Sequence, residues 1–203
     1  MMLGNLFVIS APSGAGKTSL IKALLAEDAN LKLSISHTTR KPRPGEENGV
    51  DYYFVDEPVF LAMLGEAQFL ESAYVHGARY GTSQSAVDEP LRAGYDLILE
   101  IDWQGAQQVR HLFPNAISIF VLPPSIETLE QRLNNRGQDS QETISRRVAA
   151  AREEMRHVGE FDYVTINNYF DVALQDIRAI IRAQRLVTAS QLQRYATLIE
   201  TLT

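Results

Sequence analysis

The run Ala11-Pro-Ser-Gly-Ala-Gly-Lys-Thr18 lies between an apolar stretch, Leu6-Phe-Val-Ile9, and a helical pattern, Leu20-Ile21-x-x-Leu24-Leu25. Strand, tight loop and helix together are the context that a phosphate-cradling P-loop requires. Backbone N–H groups of such a loop and of the first helical turn are unpaired and converge on one place, where the helix dipole adds to their attraction for anions. Gly14 and Gly16 allow positive φ and let the backbone approach phosphate oxygens closely. Lys17 supplies a mobile cation, and Thr18 a hydroxyl ligand for Mg²⁺. The first glycine usual in this pattern is Ala11 here. Alanine serves if the strand ends there with ordinary extended angles. The bland alternative is a glycine-rich turn after a strand, and the flanking pattern argues against it.

The rest of the chain repeats the strand–helix rhythm. Leu33–Ile35, Asp96-Leu-Ile-Leu-Glu-Ile-Asp102, Ile117–Leu122 and Tyr163–Ile166 read as further strands, and Phe170 to about Tyr195 as one long closing helix. Near-continuous apolar strands between helices point to a parallel sheet covered on both faces, an α/β fold of the P-loop NTPase type. Two stretches interrupt it. Residues 37–82 are rich in Tyr, Phe, Pro and Gly, with strands expected at Asp51–Val55 and Phe69–Val75 and a short helix at Pro58–Leu64. They read as a small mixed-strand lobe. Residues 134–156 begin with Asn134-Asn-Arg-Gly137, continue through a capping-box spacing at Asp139–Glu142, and are rich in arginine. They read as a helical lid. The expected division is a core of 1–36, 83–133 and 157–203, an acceptor lobe of 37–82 and a lid of 134–156.

Composition narrows the partners. The formal net charge of −6 argues against a nucleic-acid binder. No apolar run approaches the roughly 18 residues that span a bilayer, and the N-terminal residues lack a basic signal-peptide start. With no cysteine there are no disulfides or Cys-based zinc sites, and a cytoplasmic location is expected. Only four of the cations are lysine, and among the arginines Arg132, Arg136, Arg146, Arg147, Arg152 and Arg156 fall in one short region. Forked guanidinium contacts suit phosphate oxygens. An acidic protein with concentrated arginine fits a small, highly phosphorylated ligand.

Two further constellations stand out. Leu97–Asp102 has the form of a Walker-B strand, and Glu100 and Asp102, two apart, are expected on one side of the sheet at the crevice where α/β folds bind ligands. Ser36-His-Thr-Thr-Arg-Lys-Pro-Arg43 packs hydroxyls and three cations into eight residues stiffened by proline. A solvated basic loop is the plain alternative for the second, and His37 reads as a packing or surface residue rather than a catalyst.

Taken in order, the P-loop, Ser36–Arg43, Asn48-Gly-Val-Asp-Tyr-Tyr-Phe54, Phe69-Leu-Glu71, Tyr80-Gly-Thr82, Asp102-Trp-Gln-Gly105, Pro123-Pro-Ser125, Arg132–Gly137 and Ile166-Asn167 resemble the guanylate kinase family over residues 5–190. The resemblance implies a nucleoside monophosphate kinase that takes ATP and GMP or dGMP, with Mg²⁺. It implies ATP contacts from Ala11, Pro12, Ser13, Gly14, Ala15, Gly16, Lys17, Thr18 and Asn167. It implies GMP contacts from Ser36, Arg40, Arg43, Tyr52, Glu71, Tyr80, Thr82 and Asp102, and catalytic cations at Lys17, Arg132, Arg136 and Arg147. Thr18 would hold the metal, with Glu100 a further candidate. Glu71 and Asp102 match the carboxylates that read guanine. The chemistry agrees, since N1–H and N2–H₂ are adjacent donors that a carboxylate accepts together. Ser36 and Thr82 are expected to donate to guanine O6. Arg146, Arg152 and Arg156 read as solvated.

Rival readings remain at this stage. Guanylate-kinase-like scaffold modules keep the fold without a working P-loop, but Lys17 and Thr18 are present here. A P-loop kinase with another acceptor is the second rival. A regulatory GTPase lacks support, because no Asn-Lys-x-Asp motif occurs. Self-association is open.

Overall fold

The protein, in a computed structural model, is described over residues 4–135 and 141–202. β1 (Leu6–Ser10) is buried along its whole length, as a run with no polar alternation demands of a central parallel strand. It pairs in parallel with β7 (Asp96–Glu100) on one side and β8 (Ile117–Leu122) on the other. β2 (Leu31–Leu33) and β9 (Tyr163–Ile166) complete a five-stranded sheet ordered β2-β7-β1-β8-β9. Helices α1 (Lys17–Glu27) and α7 (Phe170–Arg185) cover one face, packing Leu20, Ile21, Leu24, Ile177 and Ile181 on Phe7, Ile9 and Ile119. Helices α3 (Gln84–Arg92) and α4 (Trp103–Leu112) cover the other, packing Val87, Leu91 and Val109 on Val8, Leu97 and Leu99. Each fully buried Leu, Ile or Phe stabilises by about 1.5–3 kcal/mol, so the strands nearest the P-loop are also the most firmly held.

A second sheet, ordered β4-β3-β6-β5, lies within 37–83. It comprises β3 (His37–Thr38), β4 (Tyr53–Phe54), β5 (Phe69–Val75) and β6 (Ala78–Ser83), with α2 (Glu57–Gly65) between β4 and β5. The β3–β4 pair is parallel and the others antiparallel, giving the mixed sheet expected. His37 stacks on Tyr53 and meets Phe69 edge-on, so it packs, as its sequence context indicates.

Three expectations need correction. The second strand covers Leu31–Leu33 rather than Leu33–Ile35; it pairs with Asp96–Ile98 and is cut off where the chain leaves the sheet toward the lobe. Asp51–Val55 forms only the two-residue β4, because Asp51 turns back to Glu47 and Lys22. The long closing helix breaks at Leu186–Val187 into α7, α8 (Thr188–Arg194) and α9 (Ala196–Leu202). The buried stripe of α7 ends at Ile181, and Leu186 is exposed, so no packing holds a continuation. Arg185 is instead drawn onto Asp28 and Asp96.

After α5 (Ile126–Asn135), α6 (Gln141–Arg156) packs Ile144 and Ala151 against Leu129 and Leu133. Helical spacing then turns Arg147 and Glu154 inward on the same stripe and leaves Arg146, Arg152 and Arg156 exposed. Arg136, Gly137 and the first residues of the Asp139–Glu142 capping box lie outside the described residues.

Candidate active site

The P-loop leaves β1 and enters α1 with two left-handed residues, Gly14 (φ 94°) and Gly16 (φ 97°). Gly16 needs to be glycine twice over, because a Cβ there would stand 2.4 Å from Asn167 Nδ2. Ala11 has no positive φ: Ala67 and His76 are the non-glycine residues that do, among those described. An alanine in the first-glycine position is therefore unstrained. Lys17 Nζ donates to the Ile101 carbonyl at 3.1 Å, and Thr18 Oγ1 to Glu100 Oε1 at 2.5 Å. The loop's end is thereby tied to the neighbouring β7.

Across the cleft, Glu71 on β5 is 3 % exposed and accepts from Thr82 Oγ1 at 2.6 Å. Burial pushes its carboxyl up to about 7, opposed by the Thr82 hydrogen bond and assisted by the charge of Asp102. Asp102 is raised as well, chiefly by burial, although the Gly105 amide and Lys17 counteract this. Burial, with Glu100 nearby, pushes the Tyr52 hydroxyl far up, so it remains a donor. Glu100 and Asp102 do reach the same cleft, but not by strand alternation. β7 ends at Glu100, and Asp102 is the N-cap of α4, its Oδ1 accepting from Gly105 N at 2.9 Å.

One cavity of about 210 Å³ is lined by Ala11, Ser13, Gly14, Gly16, Lys17, Thr18, Ser36, Arg43, Tyr52, Glu71, Tyr80, Glu100 and Asp102. Other residues named from sequence stand behind it. Pro12 and Ala15 are buried in the loop itself. Thr82 is fully buried beneath Glu71, and its one proton goes to that carboxylate; the 3.2 Å Ser36–Thr82 contact is then donated by Ser36. In this structure both hydroxyls are thus engaged within the protein. Arg40 is held by Glu46 at 2.8 Å and lies over the Tyr52 and Phe54 rings. Arg132 donates to the carbonyls of Ala15 and Asn167, and Asn167 Nδ2 donates to Ala15 at 2.7 Å. In this structure these two residues brace the P-loop from outside the cavity. Arg147 is half-buried on the inner stripe of α6.

Two cleft residues escaped the sequence reading. His76, at the left-handed turn of the β5–β6 hairpin (φ 51°), sets its Nε2 3.5 Å from Glu154 Oε1 on α6, and both line the cavity. The His-Gly pair between two strand runs marks the turn, and the Ile144–Ala151 period marks the inward face that carries Glu154. Below Asp102, Trp103 stacks face to face on His157, with centroids 3.5 Å apart and planes 7° apart. His157 Nδ1 in turn meets Glu160 at 2.6 Å.

Comparison with known proteins identifies the family and the fold. The family model described as guanylate kinase matches residues 3–184. The chain belongs to the guanylate kinase family. It is 69% identical to the guanylate kinase of Methylobacillus flagellatus over 201 residues, 99% of this chain and 100% of the relative. It is 58% identical to that of Dechloromonas aromatica, covering 98% of each. Among solved structures, the guanylate kinase of Anaplasma phagocytophilum superposes with a TM-score of 0.80 at 32% identity, covering 95% of this chain and 93% of that one. Guanylate kinases phosphorylate GMP with ATP, so the chain is a kinase whose acceptor is a nucleoside monophosphate.

The Glu71 carboxylate lies directly against the first turn of α4. Gly105 allows this, because a Cβ there would lie 2.4 Å from Glu71 Oε2. Gly105→Ala gains about 1 kcal/mol of helix propensity but forces the carboxylate aside. The expected result is a folded protein whose KM for GMP rises about 10- to 100-fold while its KM for ATP holds. Steady-state kinetics in each substrate checks this.

Proposed function

We propose that this chain transfers the γ-phosphoryl group of ATP to GMP and dGMP, giving ADP and GDP, in purine nucleotide metabolism and GMP recycling in the cytoplasm. The observation that carries the reading is a single cleft with a phosphate-cradling loop on one wall and two desolvated carboxylates, Glu71 and Asp102, on the other. A guanine edge presents two adjacent donors to such carboxylates, whereas adenine turns a lone pair toward them and is repelled.

In the proposed reaction an oxygen of the GMP phosphate forms a bond to the γ-phosphorus as the β–γ bridging P–O bond breaks and ADP leaves. That oxygen is already ionised near neutral pH, so no general base is assigned. Gly14, Gly16 and the first turn of α1 hold the triphosphate, and Lys17 neutralises charge on the transferred group. Arg43, Tyr52 and Tyr80 face the acceptor phosphate, with Arg40 joining them by exchanging Glu46 for it. Arg132, Arg136 and Arg147 are assigned to the phosphoryl group in a more closed arrangement, in which 134–156 serves as lid and 37–82 as acceptor lobe. Closure excludes water, the competing acceptor.

Thr18 Oγ1 and Glu100 Oε1 are hard oxygen donors 2.5 Å apart at the loop's end, which fits Mg²⁺ held by one or two protein ligands plus phosphates and water. Among the described residues no three His, Cys, Asp or Glu side chains are placed to hold a metal ion together, so no all-protein cage competes with that arrangement. When bound, the ion would neutralise phosphate charge.

The test is ADP formation from ATP and Mg²⁺ with GMP, dGMP, AMP, CMP and UMP in parallel, beside a no-acceptor control. Turnover with GMP and dGMP at least about 100-fold above AMP is expected. Equal turnover with AMP would overturn the acceptor assignment.

A further inference from the structure

β5 is the outermost strand of the lobe sheet, and part of its free edge faces α4 of the core instead of water. Gln108, on the second turn of α4, lays its side-chain amide on that edge. Its Oε1 accepts from Ser72 N–H at 3.1 Å, and its Nε2 donates to the Ser72 carbonyl at 2.9 Å. A longer contact, 3.4 Å from Nε2 to the Gln104 carbonyl, steadies the amide on its own helix. One primary amide thus completes both bonds that a further strand would make to this residue.

The placement matters because of what lies on either side. Ser72 follows Glu71 directly, and α4 begins at its cap, Asp102. A single glutamine therefore fastens the strand that carries one acceptor carboxylate to the helix that carries the other. Gly105, one turn below, lets the Glu71 carboxylate sit against the same helix.

We propose that Gln108 is a positioning residue for base discrimination: it fixes the spacing of Glu71 and Asp102 before the acceptor arrives. The inference rests on the reading of those two carboxylates as the pair that faces guanine. An acceptor using both N1–H and N2–H₂ needs that spacing, whereas inosine monophosphate, which lacks the 2-amino group, needs it less. Releasing the clamp should thus penalise GMP more than its inosine analogue.

The test compares Gln108→Leu and Gln108→Ala with Gln107→Ala, a neighbouring exposed residue on the same helix. For each, kcat and KM are measured for ATP, GMP and inosine monophosphate, with a thermal midpoint. Both Gln108 variants are expected to raise KM for GMP about five- to tenfold, the scale of one or two exposed hydrogen bonds. They should leave kcat and KM for ATP within about twofold and lower the GMP preference by a comparable factor. Gln107→Ala should change none of these. An unchanged preference, or equal losses toward ATP and both acceptors, overturns the proposal. Glu71→Gln measured alongside separates the two levels. If it too leaves the preference unaltered, the assignment of the carboxylates fails; if it abolishes the preference and the Gln108 variants do not alter it, only the clamp fails.

Discussion

Replacing Lys17 with alanine is expected to lower kcat for phosphoryl transfer by about 10³-fold or more, while the fold survives. Lys17 is the cation of the P-loop itself, and its Nζ is parked on the Ile101 carbonyl at 3.1 Å, a neutral partner that it can leave for a phosphate oxygen. Around it the cleft is anionic, with Glu71, Glu100, Asp102 and Glu154 all lining the cavity. Each further charge on the transferred group then meets repulsion that Lys17 offsets. Arginine at the position should not rescue, because a planar fork cannot take the place of a compact ammonium in a loop this tight. Loss of Lys17 also removes a charge that holds Asp102 down, so a smaller rise in KM for GMP should accompany the loss of turnover. Steady-state kinetics with both substrates varied, plus a melting curve, checks both effects. Turnover within tenfold of the parent would refute the assigned role.

Glu71→Gln is expected to cut kcat/KM for GMP by about 10²–10³-fold and to erase most of the preference over AMP. An amide oxygen still accepts from Thr82, but it cannot accept two guanine donors with a full charge. The pH profile supplies an independent signature. With a folded-state carboxyl at about 7 against 4.5 for the ordinary group, Glu71 of the free enzyme takes up a proton as pH falls through 7. kcat/KM for GMP in the parent should therefore decline on acidification from pH 8 to 6, and the glutamine variant should lack that limb. Stability runs the other way. A carboxyl raised in the folded state contributes its full stabilisation below pH 4.5 and loses it as pH rises through about 7. At pH 8 the parent buries an unfavourable charge that the variant does not, so the variant should be the more stable protein by up to about 3 kcal/mol. The gap should close near pH 5. Chemical denaturation at the two pH values measures it.

Much of the architecture was legible because it is local. The P-loop is a contiguous motif, β1, β7, β8 and β9 are short apolar runs with punctuation at each end, and the order of these strands alone demands a parallel sheet. Other features rest on contacts that residue type and spacing do not reveal, whether near in sequence or far. Asp102 looks like the next inward residue of a strand, yet the Gly105 amide makes it a helix cap. The apolar spacing of 170–195 continues past the point where the core stops receiving it, so the helix breaks at Leu186. Thr82 carries the right hydroxyl, but only the fold shows its proton spent on Glu71. Arg132 and Asn167 have the residue types of ligand contacts and here hold the Ala15 carbonyl. Gln108 has no sequence signal at all, because its partner is a backbone 36 residues away.

The stack of Trp103 on His157 has a practical consequence. Trp103 is the single tryptophan of the chain, so all of its indole emission arises from one spot, one peptide bond from Asp102. An imidazole ring held 3.5 Å away face to face is within range for electron transfer from the excited indole, and an imidazolium accepts that electron far more readily. His157 begins the short turn at the end of α6, so separation of the two rings registers movement of that helix. The native protein thereby carries its own optical gauge of the junction between the end of α6 and the start of α4, with no label added.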